Sequence, residues 1–86
     1  MKIKDDCKEL FGKRLRQLRK SRHWSQEELA HEAGLDRSYL GAVERGEVNI
    51  SLMNICALAH TLSVEPCELL RFAKNSQPPE NQEEQG

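Results

Sequence analysis

The stretch Trp24-Ser25-Gln26-Glu27-Glu28-Leu29-Ala30-His31-Glu32-Ala33-Gly34-Leu35-Asp36-Arg37-Ser38-Tyr39-Leu40-Gly41-Ala42-Val43-Glu44-Arg45 carries two helix starts separated by one helix stop. Ser25 and Glu28 form a capping box, in which the serine hydroxyl and the glutamate carboxylate each satisfy a backbone amide of the other. Trp24 and Leu29 flank Ser25, and Leu35 and Leu40 flank Asp36, the arrangement in which an apolar residue before the cap packs on one four positions after it. Gly34 supplies the left-handed conformation that ends a helix cheaply. Helices are therefore predicted over 26–33 and 37–45, with only Gly34-Leu35-Asp36 between them, a turn short enough to set the two at a steep angle. Ala30 and Ala33 allow close approach, while Leu29, Leu35, Leu40 and Val43 fill the space where the helices meet. This is helix-turn-helix spacing; an ordinary helical hairpin has the same spacing.

The flanking segments extend the pattern. Cys7, Phe11, Leu15 and Leu18 recur at intervals of three or four and predict a first helix over Asp6 to Arg22 with one apolar face. Ile50 and Ile55 flank Ser51, and Val64 and Leu69 flank Glu65, predicting helices over 52–62 and 66–74. Pro66 suits a first helical position, where a missing amide proton leaves nothing unsatisfied, and Gly46 ends the third helix. No segment alternates apolar and polar residues for long, so the fold is predicted to be all-α with five helices. A single domain over residues 1–74 is followed by 75–86, which holds Pro78-Pro79, Glu80, Glu83 and Glu84 and no apolar side chain. It reads as a disordered acidic tail, unable to bury enough surface to offset the entropy of ordering.

With 86 residues, 37% of them apolar, the chain is long enough for one compact core but not for a large enclosed pocket, so no small-molecule ligand is expected. No run approaches the apolar length of a membrane span, and Met1-Lys2-Ile3-Lys4-Asp5-Asp6 lacks the apolar stretch of a secretory signal, so a cytoplasmic protein without membrane contact is expected. Cys7, Cys56 and Cys67 lie too far apart for a disulfide framework or a zinc site and read as small apolar residues in a reducing compartment. His23, His31 and His60 fall on separate helices or turns with no nucleophile or metal cluster beside them. Neither an enzyme nor a cofactor is expected. The formal net charge of −1 conceals a basic stretch of Lys8, Lys13, Arg14, Arg16, Arg19, Lys20 and Arg22, opposed only by Glu9. Taken alone, such a stretch is a solvated helix face.

Trp24 to Ala30, Ala33-Gly34-Leu35, Tyr39-Leu40, Val43-Glu44-Arg45-Gly46 and Asn49-Ile50-Ser51-Leu52 resemble, in register, the Cro/CI phage repressor group, also called the Xre family. The resemblance runs without a gap from Leu10 to about Phe72. Leu35 to Leu40, Glu44-Arg45-Gly46 and Asn49-Ile50-Ser51 are most similar to the controller proteins of restriction-modification systems. It implies a five-helix, lambda-repressor-like DNA-binding domain whose third helix lies in the major groove of double-stranded DNA and whose second bridges the phosphate backbone. In such a docking Arg37, Ser38 and Ala42 reach base edges, with Gly41 permitting close approach. Arg37 can donate two hydrogen bonds to guanine O6 and N7, worth roughly 1–3 kcal/mol of discrimination; a phosphate contact or an ion pair with Asp36 is its alternative role. Tyr39 touches a phosphate or a thymine methyl. Gln26 matches a family glutamine that binds a phosphate at the positive end of a helix, exposed capping being the alternative. Arg19 and Glu44 match a family salt bridge that can leave the arginine facing a phosphate. Arg45 and Asn49 are placed for backbone contacts, and Lys13, Arg16, Lys20 and Arg22 for longer-range attraction. Where some phage repressors carry cations after the recognition helix, Glu47 and Leu52 stand here, which argues against minor-groove contact.

One module of this size makes few base contacts, whereas a homodimer occupies two half-sites of a palindromic operator about one helical turn, roughly 34 Å, apart. The fifth helix and the end of the fourth often supply the family interface. Leu62, Pro66, Leu70 and Phe72 are then the interface residues, with His60 in place of Leu62 as an option, while Leu69 faces inward; simple core packing is their other role. Promoter occupancy, including the chain's own promoter, would exclude or recruit polymerase. A second class of function is an antitoxin or protein-interaction module of the same fold.

Overall fold

A computed structural model describes residues 3–72, with side chains placed from Asp6 onward. Five helices follow one another: α1 (Ile3–Ser21), α2 (Gln26–Ala33), α3 (Arg37–Glu44), α4 (Leu52–Leu62) and α5 (Pro66–Leu69). Among the described residues there is no strand, as the missing alternation predicts. The core draws on all five: Phe11 and Leu15, Leu29 and Ala30, Leu40 and Val43, Ile55, Leu58, Ala59 and Leu62, and Leu69. Burying a side chain of this size contributes about 1.5–3 kcal/mol, so a core spread over every helix makes the domain one cooperative unit.

Local chemistry explains most boundaries. The Ser25 hydroxyl accepts from the Glu28 amide and the Glu28 carboxylate accepts from the Ser25 amide, both at 3.0 Å, so the capping box is present. Ser51 caps α4 in the same way through Asn54 N–H at 3.1 Å. Asp36 and Glu65 stand at the equivalent positions, but their side chains make no capping bond. Gly34 has φ of 75°, and beyond it Leu35 N–H reaches back to the Ala30 carbonyl at 2.8 Å. The same closure ends α1, where His23 has φ of 63° and Trp24 N–H donates to the Arg19 carbonyl, and α4, where Ser63 has φ of 59° and Val64 N–H donates to Ala59. Trp24, Leu35 and Val64, the residues after these turns, pack against the core, which offsets the left-handed strain at His23 and Ser63.

Three expectations need correction. The helix predicted over 66–74 is only the four residues Pro66–Leu69. Past it the chain bends so that Phe72 returns to α1, its ring meeting Phe11 edge to face at 6.3 Å between centroids; a continued helix would carry that ring away from the core. The start of α1 lies at Ile3 rather than Asp6. Cys7, expected on the apolar face of α1, is exposed, as are Cys56 and Cys67: Cys7 precedes Phe11, where the buried face of α1 begins, and Cys56 lies away from the side of α4 that carries Ile55, Leu58 and Leu62. The predicted domain end at 74 and the acidic tail over 75–86 lie outside the described residues.

A close approach sets the position of α3. A Cβ on Gly12 would stand 2.5 Å from the Glu44 carbonyl oxygen and 2.6 Å from that of Val43. Only glycine lets α1 pass so near the end of α3.

Candidate nucleic-acid interface

Leu40, Gly41, Val43 and Glu44 are the buried, inward residues of α3, while Arg37 and Ser38 in its first turn and Arg45, which closes it, are exposed and Ala42 is half-buried. Arg37 and Ser38 occupy its first turn and, among the described residues, Arg37 has no ion-pair partner, so the alternative pairing with Asp36 is not formed. A guanidinium free of internal partners keeps all five donors for a ligand.

The inward side is held by a polar joint. Arg19 Nε donates to Glu44 Oε2 at 2.6 Å, its Nη2 to Oε1 at 3.1 Å, and its Nη1 to the Trp24 carbonyl at 2.9 Å. Gln26 Nε2 donates to Glu44 Oε1 at 2.9 Å. The side chains of Arg19 and Glu44 are only 8% and 2% exposed. The joint connects the end of α1, the turn before α2, the first residue of α2 and the last of α3. It thereby fixes the angle between the two helices of the motif, a requirement for any contact that must match base edges.

This geometry revises several assigned roles. The Arg19–Glu44 pair is present, and Arg19 is buried with three of its five donor hydrogens committed internally. Gln26 has one amide hydrogen committed to Glu44 and remains half-exposed at the positive end of α2. Tyr39 is not a freely projecting reader: its ring is half-buried against the core, and its hydroxyl accepts from Asn54 Nδ2 at 3.0 Å. That bond leaves the hydroxyl proton available to donate. Arg45 and Asn49 are exposed, but Arg45 is paired with Glu47, Nε to Oε2 at 3.0 Å and Nη2 to Oε1 at 3.2 Å. The hydrogen bond raises the Arg45 pKa and lowers that of Glu47.

Of the interface residues, Leu62 is fully buried in the chain's own core and presents nothing to a partner. Pro66 is half-buried, and Phe72 is half-buried against Phe11. Leu70 is 50% exposed, and Leu52 and Met53 at the start of α4 are more so, at 71% and 78%. Of the basic residues on α1 and in the turn after it, Lys13, Arg16, Lys20 and Arg22 are exposed, whereas Arg14 turns inward to α5, donating to the Glu68 carbonyl at 2.7 Å and to its carboxylate at 3.2 Å.

Sequence reasoning missed Asn54, Arg14 and Gly12, and it took Glu47 for no more than a missing cation. Asn54 and Arg14 bond across elements distant in the chain, a relation that periodicity within one helix does not register. For Glu47, its position directly after Gly46 was the available signal. Among the described residues no group of three His, Cys, Asp or Glu side chains is placed to hold a metal ion.

A helix-turn-helix family model matches residues 15–69. The control protein C.BamHI of Bacillus amyloliquefaciens is 47% identical over 64 residues, covering 73% of this chain and 79% of that protein. The crystal structure of the restriction-modification controller protein C.AhdI from Aeromonas hydrophila superposes with a TM-score of 0.70 at 57% identity, covering 71% of this chain and 92% of the other. The hypothetical transcription factor NHTF from Neisseria superposes at 0.74 with 40% identity, covering 80% and 79%.

Proposed function

The chain belongs to the helix-turn-helix family of transcription regulators, with restriction-modification controller proteins among its relatives, and from that membership we propose that it binds a palindromic operator as a homodimer, with α3 in the major groove. The observation that carries this reading is the contrast along α3: in its first turn Arg37 and Ser38 stand exposed and, among the described residues, Arg37 has no ion-pair partner, while its last residue, Glu44, is locked by Arg19 and Gln26. Donors that are free, on a helix whose orientation is fixed, suit base readout.

Arg37 and Ser38 are the base readers, Ala42 lines the groove wall, and Gln26, Arg45, Asn49 and the Tyr39 hydroxyl meet phosphates. Phosphate contacts set register without carrying sequence information. Leu52, Met53 and Leu70 are apolar side chains left exposed, and Leu70 shares a groove with Ile50, Ile55 and Phe72. We place the homodimer contact on this surface, with Pro66 at its edge and Leu62 excluded by burial. In the cytoplasm, occupancy of an operator that overlaps a promoter blocks polymerase, and occupancy upstream recruits it. The chain's own promoter is the simplest target.

Selection of bound duplexes from a randomised pool by the full chain tests this directly. The expected product is a symmetric site whose half-sites are centred about 10 base pairs apart. Failure to enrich any sequence overturns sequence-specific binding. Enrichment of an unpaired half-site overturns the dimer. Replacing Arg37 by alanine is expected to weaken the selected site by about 10-fold or more while changing binding to random duplex much less. Equal loss on both would make Arg37 a phosphate contact.

A further inference from the structure

Arg45 and Glu47 are not neighbours on a regular helix face; a turn brings them together. Arg45 closes α3, Gly46 reverses the backbone with φ of 79°, and Glu47 N–H returns to the Ala42 carbonyl at 2.9 Å. The turn swings the Glu47 carboxylate against Nε and Nη2 of Arg45. The guanidinium lies back across α3, Nη1 being 3.2 Å from the point where a Cβ of Gly41 would stand; Gln26 Oε1 is 3.7 Å from that same point. Arg45 is thus held over Gly41 and near Gln26, and is itself exposed.

The two donors that Arg45 gives to Glu47 form the edge with which a guanidinium grips a phosphate, so carboxylate and phosphate compete for one set of hydrogens. We propose that Glu47 restrains Arg45 in the free protein and is exchanged for a DNA backbone phosphate on binding, so that Glu47 lowers sequence-independent affinity for duplex DNA. This inference rests on the DNA-binding reading above. Both side chains are well exposed, at 62% and 58%, so the pair breaks readily and the exchange has little barrier from burial. Once displaced, the Glu47 carboxylate remains close to the phosphate and repels it. Glu47 therefore opposes binding twice, by occupying Arg45 beforehand and by facing the backbone afterwards. The restraint acts on a contact that reads no sequence, which leaves discrimination to the first turn of α3.

The test is a double-mutant cycle on the full chain, read by anisotropy of a fluorescein-labelled duplex of mixed sequence over a range of salt concentrations. Glu47→Gln is expected to tighten binding by roughly 3- to 10-fold. Arg45→Ala is expected to weaken it and to lower the slope of log affinity against log salt by about 0.9 for each phosphate that is no longer neutralised. In the Arg45→Ala background, Glu47→Gln should keep only the part of its gain that comes from facing the backbone, and so improve binding clearly less than in the wild-type background; Glu65→Gln, which removes one charge at the start of α5, should act equally in both. Equal gain from Glu47→Gln in both backgrounds would reduce Glu47 to a bulk charge and overturn the exchange. A wild-type chain that shows no salt-sensitive binding would overturn the DNA-binding reading itself, a distinct failure. Thermal midpoints of all variants should coincide, since none of these side chains is buried.

Discussion

Glu44 and Arg45 are adjacent, and each belongs to an arginine–glutamate pair, yet the two pairs do opposite things. Arg19–Glu44 is sealed, with side chains 8% and 2% exposed, and is knitted to Gln26 and the Trp24 carbonyl. Arg45–Glu47 is open to solvent and, among the described residues, its two side chains are hydrogen-bonded only to each other. Burial makes the first pair hard to break, because removing one partner strands a charge in a medium that solvates it poorly. Exposure makes the second easy to exchange. One residue step along the chain thus separates a buried structural joint from an exchangeable surface pair. In the proposed reading the first provides rigidity and the second lets a phosphate in.

The largest expected effect comes from breaking the sealed pair on one side. Glu44→Ala leaves Arg19 buried without its carboxylate and frees the Gln26 amide, and should cost about 3–5 kcal/mol, a large share of the stability of so small a domain. Urea denaturation followed by circular dichroism measures it. The matching substitution Glu47→Ala should leave the midpoint unchanged. If Glu44→Ala were equally silent, the distinction between the pairs would collapse.

Replacing both members of the sealed pair separates charge from packing. Arg19→Met/Glu44→Leu removes both ions and should be less destabilising than Glu44→Ala by about 1–3 kcal/mol, since no unpaired charge remains. DNA binding need not recover with stability. Gln26 loses its acceptor and the angle between α2 and α3 loses its polar tie. A double variant that folds well yet binds its selected site weakly is therefore expected, and one that binds at full strength would deny the joint a positioning role.

How much of this was legible in the sequence differs between the pairs and between the helix ends. The ends of α2 and α3 were readable because Gly34 and Gly46 announce a left-handed residue. The same turn at His23 and Ser63 was invisible, since the conformation there is imposed by Trp24 and Val64 packing into the core rather than by the residue that adopts it. Helices α2 and α4 match their predicted spans because serine caps begin them. For α5 the error is also physical: its apolar spacing continues to Phe72, but the ring finds Phe11 through a bend instead of another helical turn. The sealed pair was legible only through family resemblance. The open pair had only one signal, a glutamate directly after Gly46, because side chains two apart meet only when a turn such as that at Gly46 folds them together.

His23 gives a smaller probe of the sealed joint. Its left-handed backbone delivers the Trp24 carbonyl to Arg19, and glycine adopts that conformation without steric cost. His23→Gly should stabilise the fold by about 0.5–1 kcal/mol, the relief of strain exceeding the added freedom of the unfolded chain. Gly34→Ala, at the corresponding turn of α2, should destabilise by a similar amount. Thermal denaturation of both variants checks the sign.

The smallest effect concerns acid. The hydrogen bond from Arg45 lowers the Glu47 pKa below its ordinary value, so the folded state holds this carboxylate ionised more strongly than the unfolded state does. The stabilisation it contributes is present above the unfolded pKa and is lost as pH falls through the depressed folded value. Exposure to solvent keeps it slight, so the titration itself is the better readout. Carboxyl carbon shifts followed by NMR should place the Glu47 pKa below the ordinary glutamate value in the wild type and return it toward that value in Arg45→Ala. Addition of duplex DNA makes a further demand. If phosphate takes Arg45, Glu47 loses its hydrogen bond and gains a negative neighbour, and both changes push its pKa upward. A Glu47 that titrates identically with and without DNA would mean that the open pair stays closed.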